Sequence, residues 1–283
     1  MSTKRPGSTV RAGALIAALA ATLSGCGSPA PRTSAASGTD TQALYIRENR
    51  AAGIPHRFGD SKPHDWTGFG PAHYPVHGID AARYQGQIDW HTARNAGIRF
   101  GYLKATEGGD VLDPAFAGNF AGARAAGVPV GAYHFYYFCR PAREQAAWFI
   151  ANVPRRSGDL PPILDMEWNH LSPTCRIRPP ADEVRASIRE FTAIVTRHYG
   201  TAPVIYTTPD FYARNDLGSL GGHEFWLRSV TAHPSERYPD ERWSFWQYTG
   251  TGLVPGVRGH VDLNAFAGSE ESWRDWLAVR SQG

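Results

Sequence analysis

LPPILDMEW, residues 160–168, is an apolar run that ends in two acids separated by a single residue, Asp165 and Glu167. Its length and apolar body read as a buried strand. Acids at the end of such a strand suit the carboxyl edge of a parallel barrel, where reactive groups collect. Working outward, the same kind of run recurs on both sides. HGID (77–80) opens the first unit, RFGYLKATEG (99–108) the second and VPVGAYHFYYF (128–138) the third. LPPILDMEW is the fourth and APVIYTTPDF (202–211) the fifth. EFWLRSV (224–230), RWSFWQYTG (242–250) and HVDLNAF (260–266) complete eight strand candidates.

Helical patterns separate the earlier strands. Over 182–198, Val184, Ile188, Phe191 and Ile194 recur at helical spacing, and Gly200 ends the pattern. After the fifth strand the links are too short for full crossover helices, so the last strands are expected to pair without a regular helical layer. SEESWRDWLAV reads as a closing helix with Trp273, Trp276 and Leu277 facing inward. Strand and helix units in alternation imply a parallel α/β sheet. Eight candidates, and no G-x-G-x-x-G after the first, favour a modified TIM-like barrel over a doubly wound sheet.

The acids follow the same geometry. Asp80 ends the first strand, Glu107 the second, Asp165 and Glu167 the fourth, and Asp262 lies in the eighth. Residues at i and i+2 of a strand share a face, so Asp165 and Glu167 project together. Crowded carboxyls repel one another, which raises the proton affinity of some and suits them to general acid work near neutral pH. Glycoside hydrolysis needs such a couple. Most bare D-x-E tripeptides are solvated turns or salt-bridge partners, so the aromatics carry weight. Tyr133, Phe135, Tyr137, Trp168, Tyr206, Trp226, Trp246 and Tyr248 all lie in or just after strands, where they read either as core or as the wall of a carbohydrate groove.

The first residues stand apart from the fold. Lys4, Arg5 and Arg11 precede a small apolar run at 14–23, the pattern of an export signal. Leu23-Ser24-Gly25-Cys26 resembles a bacterial lipobox, in which Cys26 becomes the lipid-carrying N-terminus; an ordinary signal peptide with an incidental Cys is the alternative. Removing the first 25 of the 283 residues leaves 258, about the length of one α/β barrel. The expected order is a signal peptide (1–25), a small polar tether (26–44), an N-terminal extension packed on the barrel (45–76), and the barrel with its closing helix (77–283). The formal charge of +3 is matched by the three basic residues of the leader, which leaves the remainder near neutral and argues against nucleic acid. Cys139 and Cys175 follow adjacent barrel strands, and in an oxidising compartment they either pair or stay as two thiols. No C-x-x-C occurs, and Pro75 breaks the helix that His73 and His77 would need to share a ligand face, so these residues, like His56 and His64, read as loop positions. No metal is expected.

HGIDAARYQGQIDW, FGYLKATEGGDVLDPAFAGNF, GVPVGAYHFY, PPILDMEW, PVIYTTPDFY, FWQYTGTGLVPGV and VDLNAF, in that order, resemble glycoside hydrolase family 25, the Chalaropsis-type lysozymes or N-acetylmuramidases. The resemblance implies an irregular eight-strand barrel with fewer than eight helices, no cofactor, and cleavage of the β-1,4 bond between N-acetylmuramic acid and N-acetylglucosamine. It places the acidic site on Asp80, Asp165, Glu167 and Asp262, with Glu167 as proton donor and Asp165 as nucleophile or as orienter of the substrate acetamido group. Tyr133, Tyr206 and Trp246 follow as groove contacts. Lys104 and Glu107 match as groove residues or as an ion pair supporting the site. Trp226-Leu227-Arg228-Ser229 departs from the family pattern, in which a small residue and then an aromatic follow the Trp. The partner implied is peptidoglycan, cut by a monomer held by lipid to the cell envelope, at the outer membrane if the source has two. A glycan-binding lipoprotein without turnover and a barrel glycosidase for chitin-like polymer are the other readings.

Overall fold

The computed structural model describes residues 53–281; the export signal, Cys26 and the tether lie outside the described residues. Within them the chain forms a closed barrel. Its strands are β2 (His77–Ala81), β3 (Phe100–Glu107), β5 (Val130–Phe135), β6 (Ile163–Met166), β7 (Val204–Thr207), β8 (Glu224–Arg228), β9 (Trp243–Leu253) and β10 (Val261–Phe266). From β2 through β9 each neighbour runs parallel. β10 runs antiparallel to both β9 and β2 and closes the ring. Two short strands sit outside it: β1 (Gly59–Asp60) pairs with the far end of β9, and β4 (Val111–Leu112) folds back on β3.

Link length explains the one reversal. A parallel crossover takes about a dozen residues or more. Helices α1 (Trp90–Ala96), α2 (Phe116–Ala125), α3 (Ala142–Asn152), α4 (Ala181–Tyr199) and α5 (Pro209–Arg214) fill the earlier links. Residues 229–242 hold only the single turn α6 (Pro234–Arg237), yet they span far enough to keep β9 parallel. Residues 254–260 are too few, and β10 comes back antiparallel. The Pro209 helix also corrects the fifth strand, which ends at Thr207: Pro209 at the first helical position cannot extend a ladder and suits a helix start. The third strand stops at Phe135 rather than 138.

Alternation along each strand divides the molecule into two apolar bodies. Phe100, Tyr102, Ile163, Val204, Tyr206, Trp226, Phe245 and Phe266 fill the barrel. Below them the closing helix α7 (Glu270–Arg280) brings Trp273, with Trp276 and Leu277, against Phe245 and Phe266. The alternate residues, among them Leu103, Leu164, Met166, Ile205 and Leu227, face the helices, with Val184, Ile188 and Phe191 of α4 packed against that outer layer.

Where β8 and β9 lack long helices, the N-terminal segment takes their place. Trp66 sets its edge on Trp246 at 5.1 Å, Tyr74 packs on Trp243 and Trp246, and the Tyr74 hydroxyl hydrogen-bonds His233 Nε2 at 2.8 Å. His77, expected in a loop, lies in β2 and is fully buried, with Nδ1 toward the Tyr248 hydroxyl and Nε2 toward the Tyr74 carbonyl. Burial depresses it to about 4, so it stays neutral.

The aromatic filling depends on bare backbone beside it. A methyl group on Gly78 would lie 2.5 Å from both the ring and the carbonyl oxygen of Phe100, its registered neighbour on β3. The carbonyl belongs to the barrel ladder and cannot turn aside. Gly78→Ala should therefore lower stability to urea unfolding by about 2–3 kcal/mol, the cost of overpacking a full core.

Candidate active site

A cleft of about 470 Å³ opens over the carboxyl ends of the parallel strands, and Asp80, Asp165, Glu167 and Asp262 all line it. Asp80 stands on β2 and Asp165 on β6, with Glu167 one residue beyond the last residue of that strand. Asp262 reaches the same rim because β10 is reversed: it pairs directly with Asp80, so the amino end of β10 meets the carboxyl end of β2.

Asp80 is held by amides whose orientation is set from behind. Asn264 Nδ2 donates to Asp80 Oδ1 at 2.8 Å and Gln247 Nε2 donates to the same oxygen at 3.1 Å. The Trp226 indole, which can only donate, occupies Asn264 Oδ1 at 2.9 Å; the Tyr206 hydroxyl donates to Gln247 Oε1 at 2.9 Å. Both amides are thereby left to present N–H groups to the carboxyl. Burial raises Asp80, and the Asn264, Gln247 and Asp262 hydrogen bonds work against the rise. Asp262 is raised well above the carboxylate range by burial, by the charge of Asp80 and by the hydrogen bond between the two. Two adjoining acids in this arrangement hold a proton between them more tightly than either would alone.

The other pair has no such support. Asp165 is 8 % exposed, and its Oδ1 is buried without a hydrogen-bond partner among the described residues. Burial, and next the charge of Glu167, raise it well above its ordinary value, while Lys104 opposes them. Glu167 is partly exposed at the mouth and is also raised by burial, with Arg228 pulling the other way. Neither side chain is committed to a donor among the described residues, which leaves both for a ligand.

Lys104 and Glu107 line the cleft and pair with each other, and the Tyr137 hydroxyl donates to the second oxygen of Glu107. Burial pushes Glu107 up, but these two donors outweigh it and hold the group below its ordinary value. Lys104 also lies 4.6 Å over the Phe135 ring. The ion pair and the groove position expected of these residues are one arrangement.

The walls are tied down. Asp113 accepts from Arg83 N and Ala115 N, both at 2.9 Å, which joins the loop after β2 to the start of α2. Gln145 donates to the carbonyls of Tyr137 and Arg140 and accepts from Tyr137 N. Cys139 is disulfide-bonded to Cys175, linking that loop to the one that carries Asn169, Leu171 and Ser172 along the rim.

The aromatics separate by strand parity. Tyr133, Phe135, Tyr137, Tyr206 and Trp226 line the cleft, whereas Trp168, Trp246 and Tyr248 do not. Trp246 is fully buried on the outer side, with its indole donating to the Ser229 carbonyl at 2.7 Å. Arg228 registers with Gln247 and Leu227 with Trp246, so Gln247 takes the inner face and its neighbour the outer. Gln247, Asn264 and Arg228 are the site residues that the sequence reading did not assign. Asn264 stands two residues after Asp262, and that spacing was the signal for it. Among the described residues no group of three or more His, Cys, Asp or Glu is arranged to hold a metal ion.

Buried acids with raised proton affinity weaken the fold at high pH. The unfolded chain releases the Asp262 proton near the ordinary carboxylate value while the folded chain keeps it, so stability falls as pH climbs from there through the raised value. Asp262→Asn keeps the shape and a donor toward Asp80 but removes the ionisation. In urea unfolding it should equal wild type at about pH 3 and exceed it by about 1–3 kcal/mol at about pH 8.

The family model described as Glycosyl hydrolases family 25 matches residues 79–257. Lysozyme M1 of Streptomyces globisporus is 37% identical over 69% of this chain and 68% of its own. Among solved structures, a family 25 glycosyl hydrolase from Bacillus anthracis aligns with TM-score 0.67 at 31% identity, covering 77% of this chain and 98% of that one. The bacterial lysozyme from Streptomyces coelicolor aligns with TM-score 0.64 at 34% identity, covering 73% and 97%. With its acids at the rim of an eight-strand barrel closed by one reversed strand, this chain belongs to glycosyl hydrolases family 25.

Proposed function

We propose that the chain is a muramidase that hydrolyses the β-1,4 bond between N-acetylmuramic acid and N-acetylglucosamine in peptidoglycan. The observation that carries this reading is the pair Asp165 and Glu167: two carboxyls with no side-chain hydrogen bond among the described residues, Asp165 Oδ1 being buried and unsatisfied, facing an open cleft walled by aromatic rings. Burial raises Glu167 above its ordinary value, the direction a general acid needs. Glu167 gives its proton to the glycosidic oxygen as the bond to the anomeric carbon breaks. With the proton on Glu167, the neighbouring charge that adds to burial in raising Asp165 is gone, and Asp165 as the carboxylate supports the positive charge that develops there, by attacking the anomeric carbon or by steering the substrate acetamido oxygen toward it. Water then adds to the anomeric carbon and returns a proton to Glu167, so the acid is restored. Asp80, anchored by Asn264 and Gln247, and Asp262 beside it hold the sugar and keep negative charge near the reacting centre.

The reading extends to export. The Cys139–Cys175 bond suits an oxidising compartment, and the leader with Cys26 supports export followed by lipid attachment, the enzyme working as an anchored monomer. No helix among the described residues is long and apolar enough to cross a membrane.

The test is digestion of purified peptidoglycan in heavy-oxygen water. Wild type should release muropeptides with labelled muramic acid at the reducing end, read by mass spectrometry. Glu167→Gln should lower the rate about 10²–10⁴-fold with an unfolding midpoint no lower than that of wild type. Equal release by the two proteins would refute the assignment.

A further inference from the structure

Arg228 stands where the family resemblance breaks down, and its position gives it a use. It follows Trp226 by two residues on β8, shares its inward face, and registers with Gln247 across the β8–β9 seam. It lines the cleft and is partly exposed. Its guanidinium makes no hydrogen bond or ion pair with any described residue. The backbone carbonyl of the same residue is occupied by the Tyr238 hydroxyl at 2.7 Å, which fixes the strand end from which the side chain projects.

The neighbouring cation is already committed: Lys104 is paired with Glu107. Arg228 is close enough to Glu167 and Asp262 to act on both electrostatically, yet pairs with neither. A planar fork of five N–H donors is thus open toward the space over the reacting acids. An N-acetylglucosamine unit carries no anion for it. A muramic acid unit differs by a lactyl ether at C3 that ends in a carboxyl group. When that carboxyl is joined to a stem peptide it is a neutral amide, and the nearest anions are the carboxylates of the peptide. When the peptide is absent it is itself a carboxylate.

We propose that Arg228 is a specificity-determining residue that binds a free carboxylate carried by the muramic acid unit, so that the enzyme favours glycan presenting such an anion beside the scissile bond. The inference rests on the muramidase reading and sharpens it. The lactyl group and the stem peptide offer the same chemistry, and bidentate recognition of a carboxylate by Arg accounts for either.

Four soluble glycans of matched length separate the cases: peptide-free strands, peptide-free strands with the lactyl carboxyls converted to methylamides, peptide-bearing strands, and peptide-bearing strands with the peptide carboxyls esterified. Wild type should prefer one charged substrate over its neutralised counterpart by about 10- to 100-fold in kcat/KM, the range for a charge-assisted bidentate contact. The first comparison reports the lactyl carboxylate, the second the stem peptide. Arg228→Gln should bring that ratio to near unity, Arg228→Lys should keep part of it, and added salt should reduce it. Equal cleavage of charged and neutralised strands by wild type overturns the proposal even if no variant folds. So does an Arg228→Gln protein that is slowed equally on all four, which would make Arg228 a charge balance for Glu167. Cleavage of all four without preference leaves the muramidase reading standing; cleavage of none by wild type removes both.

Discussion

β10 runs against its two neighbours, and the site depends on that reversal. A parallel eighth strand would present its carboxyl end at the mouth and carry Asp262 to the opposite end of the barrel. Reversed, the strand places Asp262 in register with Asp80 and Asn264 two residues deeper on the same face. The reversal follows from a loop too short for a crossover. One short connection therefore brings together the shared-proton pair and the amide that orients it.

Gathering four carboxyls under low solvent exposure is costly, and the surrounding residues divide that cost unevenly. Asp80 has two amide donors, each aligned from behind by Trp226 or Tyr206. Glu107 has a cation and a phenol and is held ionised. Asp165 and Glu167 have neither and respond by holding protons more tightly. The groups left unsatisfied by the protein are the ones a substrate must meet, and preorganised groups of this kind do most for a transition state in which charge develops. The rigid walls serve the same end, since the disulfide and the Gln145 clamp fix the loops on one side of the cleft.

Much of this was legible in the chain. The eight apolar runs mark the eight barrel strands, and the acids mark the rim, because strand ends and chemistry both leave local signatures in residue type. Parity was legible where one residue was already known to face inward, as with Asp165 and Glu167. It misled at Trp246, where nothing local tells an inner aromatic from an outer one. β9 has a register shift between Trp243 and Phe245, and after such a shift, counting from one end of the strand no longer predicts the face. The role of residues 53–76 was hidden for a related reason. Trp66 and Tyr74 show their purpose only beside Trp246 and His233, far away in sequence.

By itself the sequence determined the order of strands and helices, the candidate acids and the family, since each is carried by short runs with their own period and composition. Tertiary structure alone decided which acid shares a proton with which, that Lys104 and Glu107 pair, that Cys139 meets Cys175, and that Arg228 rather than Trp246 looks into the cleft. Those outcomes depend on register and closure between strands distant in the chain. A one-residue change of register exchanges the inner and outer faces without altering any local pattern.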